Sequence, residues 1–161
     1  MSAPPREHRP ADVAGLVVAL LASFAVAAFG SRFPPGEWYQ ALNQPAWTPP
    51  DWVFGPVWTV LYVLMAIAAW RVWRLYSFSG AGLALGLFIV QLVLNGLWSF
   101  LFFGLRSPGA ALVDILLLLV AVAATTVLFW RLDRTAGWLL LPYLVWVAYA
   151  TTLNAGVWVM N

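Results

Sequence analysis

Aromatic rings and a few polar side chains are the parts of this 161-residue chain that could do chemistry. The sequence has 11 tryptophans, no cysteine and no lysine, and its one histidine, His8, lies in a polar N-terminal tail. Thiol chemistry, disulfides and Schiff bases are therefore excluded, and neither a histidine-based metal site nor a catalytic triad is expected. We predict that no metal and no obligatory cofactor are needed, and that function depends on aromatic and amide groups.

Two amides and a tryptophan share one face of an apolar segment. Gln91, Asn95 and Trp98 recur at positions i, i+4 and i+7, which is the spacing of neighbours on a helix. Amides away from water need hydrogen-bond partners. The pattern fits two interpretations: hydrogen bonding between helices, or an amide presented to a bound ligand.

Asp114 is the one ionisable side chain well inside a long apolar segment. A charge at the centre of a bilayer costs at least about 2.5–3.5 kcal/mol, so such a residue normally faces protein or water. Asp114 is either a carboxyl group that helps pack helices or a ligand-facing, proton-linked group.

Aromatic residues also follow helical spacing in two other segments. Trp58 and Tyr62 lie four residues apart, and Tyr143, Trp146 and Ala150 fall in one narrow sector. Trp58, Trp146 and Ala150 lie about 9–20 Å from the helix ends that face the long loop at 31–51, as do Asp114 and Asn95. They could simply pack or contact lipid, or they could line an apolar cavity for a flat, aromatic ligand.

The composition places these segments in a bilayer. Hydrophobic residues make up 63% of the chain and charged residues 9%, against about 25% charged in soluble domains. An ordinary soluble enzyme, a disordered chain and a nucleic-acid reader are therefore excluded. The uncharged stretches predict an all-α membrane protein, a five-transmembrane-helix bundle formed by one domain over 1–161, with spans near 13–30, 52–73, 81–104, 108–130 and 136–159.

The segment 31–51 differs from the spans because it is rich in proline. Its prolines exclude a long helix, its Trp and Tyr residues suit the headgroup layer, and 37–43 could form a short interfacial helix. We expect this loop to cover a cavity as a lid. An alternative interpretation makes the first span a secretory signal, cut after Ala25-Val26-Ala27.

Arginines give the expected orientation. With five spans, one side of the membrane holds six arginines and the other side holds Arg32 and Arg106. This bias favours a cytoplasmic N-terminus and an external loop 31–51. The six are Arg6, Arg9, Arg71, Arg74, Arg131 and Arg134.

Gly82 and Gly86 form a small-xxx-small pattern that would let two copies of the third span approach closely. A homodimer interface is one interpretation, and a simple helix start at Gly80 and Gly82 is the other.

The sequence resembles the TspO/MBR family of tryptophan-rich sensory membrane proteins. The motifs that carry the resemblance are Glu37-Trp38-Tyr39, Asn43 to Pro50, Trp58 to Tyr62, Gln91 to Ser99, and Leu141 to Trp146 followed by Ala150-Thr151 and Leu153-Asn154. They extend over about 120 residues in the family's order and spacing.

The resemblance implies a five-helix bundle, often homodimeric, in a bacterial cell membrane, that binds porphyrins such as protoporphyrin IX and acts as a sensor or transporter. It implies no nucleic-acid partner. The ligand-binding residues implied by the resemblance are Tyr39, Trp47, Pro49, Trp58, Tyr62, Asn95, Trp98, Ser99, Trp146 and Ala150.

The resemblance also leaves alternatives and departures. Some members are reported to degrade porphyrin in light, for which Trp58 and Trp146 are the candidate residues, and a helical scaffold is a third possibility. Tyr149 is followed by no cation up to Asn161, so sterol binding through the animal proteins' terminal pattern is not expected. Ala46 stands where some bacterial members have Trp, so loop contacts can differ.

Overall fold

The computed structural model describes residues 10–161, with side chains described from Asp12 onward. His8, Arg6 and Arg9 lie outside the described residues. Within the described part the chain is all-helical and has no strand. Its helices are α1 (Pro10–Gly30), α2 (Glu37–Gln40), α3 (Phe54–Ser99), α4 (Pro108–Leu132) and α5 (Arg134–Met160), with a 3-10 turn at Asp51–Val53 and a π-helical turn at Phe100–Gly104.

The helix boundaries follow from local chemistry. Pro108 starts α4 at a position where its missing N–H costs nothing, after Ser107 leaves the helical region. Asp133 adopts an extended conformation between α4 and α5, and its side chain accepts a hydrogen bond from the Thr135 N–H at 3.1 Å. That bond caps the first turn of α5.

Helix α3 reverses direction near its middle. Ser77 has φ 55° and Ala81 has φ −131°, so neither is helical. Tyr62 and Asn95 are 33 residues apart, which is about 50 Å along a straight helix, yet their side chains are hydrogen-bonded at 2.7 Å. Gln91 reaches Met65 in the same antiparallel register. The element is therefore two antiparallel arms, 54–76 and 82–99, joined by a tight turn.

Four helical stretches are long and apolar enough to cross a membrane: Asp12–Gly30, Asp51–Gly104, Pro108–Leu132 and Arg134–Met160. The predicted spans 52–73 and 81–104 both fall in the second of these, because they correspond to its two arms. A count of five separate helical spans is therefore not confirmed. The outer spans, predicted at 13–30, 108–130 and 136–159, match α1, α4 and α5 to within a few residues.

The bundle is densely packed at the end that holds the turn of α3. Phe88 on the second arm stacks on Phe129 of α4, with ring centroids 6.0 Å apart, and both are buried. Gly15 and Gly137 allow close approach there, because a Cβ on either would clash with Trp73 or Trp130. This packed half contrasts with the other end of the bundle, which encloses a cavity.

Candidate functional site

A cavity of about 490 Å³ lies at the loop-side end of the bundle. Its walls come from α1, both arms of α3, α4 and α5, and the loop 31–51 covers it. Most lining groups are apolar, with a small number of polar atoms, which is typical of small-molecule sites. Ile115 and Leu118 form the wall on α4, and Ala27 and Gly30 form the wall on α1.

The structure brings eight of the ten predicted ligand-binding residues to this cavity. They come from α2, both arms of α3 and α5, and helical periodicity places the ones on each long helix on a common face. Their role in binding remains a prediction. The eight are Tyr39, Trp58, Tyr62, Asn95, Trp98, Ser99, Trp146 and Ala150.

Trp47 and Pro49 do not line the cavity, although they were expected in the site. The Trp47 ring lies outside the cavity because its Nε1–H donates to Thr152 Oγ1 at 3.2 Å and its carbonyl oxygen accepts from the Tyr149 hydroxyl. These two contacts hold it against the outer side of α5, where it is 56% exposed. Thr48, the residue between them, reaches the cavity instead.

The polar wall of the cavity is a chain of buried hydrogen bonds. Tyr62 OH donates to Asn95 Oδ1 at 2.7 Å, and Asn95 Nδ2 donates to Tyr143 OH at 3.0 Å. Tyr143 OH donates to Gln91 Oε1 at 2.7 Å. The chain joins both arms of α3 to α5, so the amides are hydrogen-bonded between helices. Asn95 also lines the cavity, and presentation of its amide to a ligand stays a prediction.

Aromatic rings form the other walls. Trp58 stacks on Tyr62 with centroids 5.4 Å apart, and Trp146 meets Phe54 edge-on at 5.9 Å. Trp98 stacks on Phe102 at 5.1 Å. Such surfaces match a flat apolar ligand in both shape and chemistry.

Two indole N–H groups of the cavity differ in their partners. Trp98 Nε1 donates to Asn154 Oδ1 at 2.9 Å, and Asn154 in turn donates to the Pro108 carbonyl at 2.8 Å. Trp146 Nε1 is buried and has no partner among the described residues. A buried donor without a partner is costly, so Trp146 is the indole of the two whose N–H is left unsatisfied.

Asp114 is 3% exposed and faces the bundle interior, but it does not line the cavity. Neither of its carboxyl oxygens has a hydrogen-bond partner among the described residues. Asp114 is therefore packed inside the bundle outside the cavity lining, and its role stays a prediction. Its neighbour Ile115 presents the apolar wall instead.

The loop 31–51, which forms the roof of the cavity, is attached by different contacts in its earlier and later parts. Its later part is tied to the end of α5: Asn43 N–H donates to Asn161 Oδ1 at 2.9 Å, and Asn161 Nδ2 donates back to the Asn43 carbonyl at 3.0 Å. Pro45 packs on Gly156 so closely that a Cβ there would clash. The earlier part is held by ring contacts of Phe33 with Phe29 and Phe100.

Tyr39 reaches the cavity from α2, which is shorter than the predicted helix 37–43. Its ring meets Phe103 edge-on at 5.5 Å. Burial raises the pKa of the Tyr39 hydroxyl, and the Asp51 carboxylate raises it further. Tyr39 is therefore a neutral hydrogen-bonding group under ordinary conditions.

Several cavity residues were missed from the sequence. Phe33, Phe102 and Phe103 bring their rings to the roof, and Asn154 fixes Trp98. Asn154 lies four residues beyond Ala150, on the same helix face, and that spacing was a usable signal. The π-helical turn that aims Phe102 carries no comparable sequence pattern.

Gly82 and Gly86 lie on the outer surface of the second arm of α3. A Cβ at either would meet nothing within 4 Å. Leu83, Ile89 and Val93 on the same arm are half or more exposed. The face is therefore apolar and open within the described chain.

Among the described residues, no three acidic or histidine side chains come close enough together to hold a metal ion.

Comparison with known proteins gives matches over most of the chain. The TspO/MBR family profile matches residues 15–159. The chain is 49% identical over 134 residues to the translocator protein of Homo sapiens, covering 80% of this chain and 79% of that protein.

Microbial relatives match over more of the chain. The tryptophan-rich sensory protein of Cereibacter sphaeroides is 44% identical over 143 residues, covering 89% of each chain. Protein CrtK of Rhodobacter capsulatus is 41% identical over 145 residues, covering 89% of this chain and 91% of CrtK.

Proposed function

The chain belongs to the TspO/MBR family, and on that premise we propose that it binds a porphyrin or a similar tetrapyrrole in the cavity under the loop 31–51. The observation that carries the proposal is the cavity itself: about 490 Å³, walled by Trp58, Trp98 and Trp146. Indole faces attract a flat macrocycle through dispersion and quadrupole contacts. The unpartnered Trp146 N–H offers a donor to a ligand carboxylate or carbonyl.

Sensing and transport are the two roles that suit such a site. Relatives carry the names translocator protein and tryptophan-rich sensory protein. A cavity at one end of an apolar bundle, closed by a loop, takes its ligand from the membrane or its surface. Loop movement on binding would report occupancy or release the ligand.

Titration with protoporphyrin IX tests the proposal, with quenching of tryptophan fluorescence as the readout. Replacing Trp58 and Trp146 by Ala removes two walls, so we expect the Kd to rise at least about tenfold, which is about 1.4 kcal/mol. The matched control is Trp52→Ala with Trp138→Ala, since both rings are exposed and lie outside the cavity. An unchanged Kd in the first variant would remove the cavity as the site.

Light-dependent porphyrin breakdown is a second candidate function. It is favoured by oxidisable rings at the cavity: Trp58 stacks on Tyr62 with ring centroids 5.4 Å apart, and Trp146 lines the same cavity. A photoexcited macrocycle could take an electron from an indole, with dioxygen as the terminal oxidant. One defined product and many turnovers per protein would support this, whereas Trp oxidation after one or a few turnovers would indicate simple photodamage.

We also propose that α3 crosses the membrane twice, which gives five crossings and places the turn at 77–81 on the cytoplasmic side with the α4–α5 junction. The chain has no cysteine, so single thiols can be introduced and labelled with an impermeant reagent. Ser77→Cys and Thr135→Cys should label from the cytoplasmic side, and Ser107→Cys from the loop side. Labelling of Ser77→Cys and Ser107→Cys from the same side would contradict five crossings.

The outward face with Gly82 and Gly86 is our proposed homodimer contact. Gly86→Leu should shift the protein to monomer in cross-linking and size measurements, with Val120→Leu, on an exposed face of α4 outside the cavity, as the matched control. If assembly is lost but the Kd for protoporphyrin stays the same, ligand binding is a property of one chain. If both are lost, a scaffold role in which assembly makes the site is favoured.

A further inference from the structure

The hydrogen bonds behind the cavity run in one direction. Starting from the cavity wall, Tyr62 donates to Asn95, Asn95 to Tyr143, and Tyr143 to Gln91. Gln91 Nε2 then points at Met65 Sδ, 3.9 Å away. All members except Tyr62 are at most 4% exposed, and Tyr62 is 6% exposed. This hydrogen-bond chain therefore has one end at the cavity wall and the other in the core.

Met65 fixes the direction of this chain of hydrogen bonds. A thioether sulfur accepts hydrogen bonds weakly and cannot donate them. If Gln91 were flipped, its Oε1 would face the sulfur, two acceptors would meet, and a bond would be lost. With Nε2 toward Met65, Gln91 presents Oε1 to Tyr143. Tyr143 must then donate to Gln91, and it can only accept from Asn95.

The same reasoning fixes the direction of the hydrogen bond at the cavity end of the hydrogen-bond chain. Once Asn95 donates to Tyr143, its Oδ1 faces Tyr62, so the Tyr62 hydroxyl proton is committed to Asn95. The Tyr62 oxygen keeps free lone pairs and no free proton. In the reversed chain, Tyr62 would instead aim an unbonded O–H at an apolar cavity. Buried donors without partners are rarer than under-used acceptors, so this second argument favours the same direction.

We propose that the Tyr62 hydroxyl is a hydrogen-bond acceptor for the bound ligand, with Tyr143 and Gln91 as positioning residues that hold it in this state. The cavity then selects flat aromatic molecules that carry an N–H or O–H over equal molecules without one. This inference rests on the proposed ligand-binding function. It gives the site a hydrogen-bond acceptor, which the shape and the apolar lining of the cavity do not specify.

Carbazole and N-methylcarbazole are suitable probes, because both are flat, apolar and aromatic and they differ at the N–H. Their Kd values can be measured by probe fluorescence in nanodiscs, with protein-free nanodiscs correcting for partition into lipid. One net hydrogen bond of about 1 kcal/mol corresponds to about fivefold tighter binding of carbazole. We expect this ratio for the native chain.

Two variants and one control test the roles of Tyr62 and Tyr143. Tyr62→Phe removes the acceptor, so the ratio should fall to about one. Tyr143→Phe breaks the chain and frees the Asn95 amide to turn, so the ratio should fall while N-methylcarbazole still binds. Tyr149→Phe removes an equivalent hydroxyl whose partner is the Trp47 carbonyl, outside the cavity, and should leave the ratio unchanged.

The outcomes separate this inference from the proposed function. Equal binding of both probes by the native chain, or an unchanged ratio in Tyr62→Phe, would overturn the acceptor while leaving the cavity as a ligand site. Failure of both probes to bind would overturn the ligand cavity and the acceptor together. If Tyr143→Phe does not fold, the Tyr62→Phe ratio decides the matter, because Tyr62 itself lines the cavity.

Discussion

The two ends of this bundle use the same helices for different purposes. At the end near the turn of α3, Phe129, Val72 and Leu140 are at most 1% exposed, and glycines let the helices approach closely. At the loop end the same helices separate around about 490 Å³. The contacts at the packed end stabilise the fold. The hollow end makes fewer such contacts, and its volume is available for the proposed ligand. Stability and binding should therefore be separable by position along the helices.

Removing a large ring should have the largest effect and should distinguish the two ends. Phe129→Ala leaves a void in the packed end, and we expect a loss of about 3–5 kcal/mol in the free energy of unfolding. Phe54→Ala removes an equal ring from the wall of an existing cavity, so its cost should be clearly smaller. Reversible unfolding in mixed micelles measures both. Equal losses would show that the ends do not differ in packing.

Adding volume should give the next largest effect, with opposite readouts at the two ends. Ala68 is fully buried in the packed core, so Ala68→Leu should destabilise the fold by about 1–3 kcal/mol. Ala150 lines the cavity, so Ala150→Leu should leave stability nearly unchanged but raise the Kd for protoporphyrin IX. A stability loss at Ala150 as large as at Ala68 would contradict a cavity that is open in the native state.

Glycine replacements give a smaller and sharper comparison. A Cβ on Gly137 would lie 2.8 Å from the Trp130 Cα, so Gly137→Ala must push α4 and α5 apart, at a cost of about 1–2 kcal/mol. Gly55 has nothing within 4 Å, and Gly55→Ala should be neutral or slightly stabilising. Melting temperatures of the two variants check this. A neutral Gly137→Ala would mean that the packed end has room to relax.

The smallest effect concerns pH at the packed end. Arg71 Nε donates to Asp133 Oδ2 at 2.6 Å, and this hydrogen bond holds the pKa of the Asp133 carboxyl below its ordinary value. The folded pKa is lowered, so the stabilisation is present above about pH 4 and is lost as the pH falls below it. Asp133→Asn keeps the helix cap but should cost about 1 kcal/mol or less at neutral pH.

The check on that prediction is a set of unfolding curves from neutral pH to about pH 3. The difference between the native chain and Asp133→Asn should shrink as the pH falls. Arg74→Gln is the matched control, because Arg74 lies over the Trp70 ring and not on Asp133. A difference that stays constant with pH would show that the Arg71 contact does not stabilise the fold.

Helix faces were predictable because their period is fixed by backbone geometry. The four-residue spacing of Trp58 and Tyr62 put them on one side, and they stack there. The run Gln91, Asn95 and Trp98 likewise faces inward. Periodicity gives a direction but not a partner, so the contact of Gln91 and Asn95 with Tyr143 could not be read from the sequence.

Loop positions were harder to predict because no period constrains them. Trp47 was expected in the cavity, but hydrogen bonds with Thr152 and Tyr149 more than 100 residues away hold it outside. The turn of α3 was easier to place, because the predicted spans 52–73 and 81–104 leave a gap there, and Ser77 and Ala81 leave the helical conformation in or beside it. The position of Trp47 depends instead on tertiary contacts that local sequence does not encode.

The two attachments of the loop 31–51 have a mechanical consequence. Release at its α5 side would require breaking the Asn43–Asn161 bonds, both Trp47 bonds and the Pro45 contact. At the α1 side the loop continues directly from the end of α1, and the rings of Phe33, Trp38 and Tyr39 hold it against neighbouring phenylalanines. The only attachment that can come apart completely is therefore the one at α5, because it is made entirely of non-covalent contacts. If the cavity takes a ligand, as proposed, weakening that seam should speed exchange more than it changes affinity.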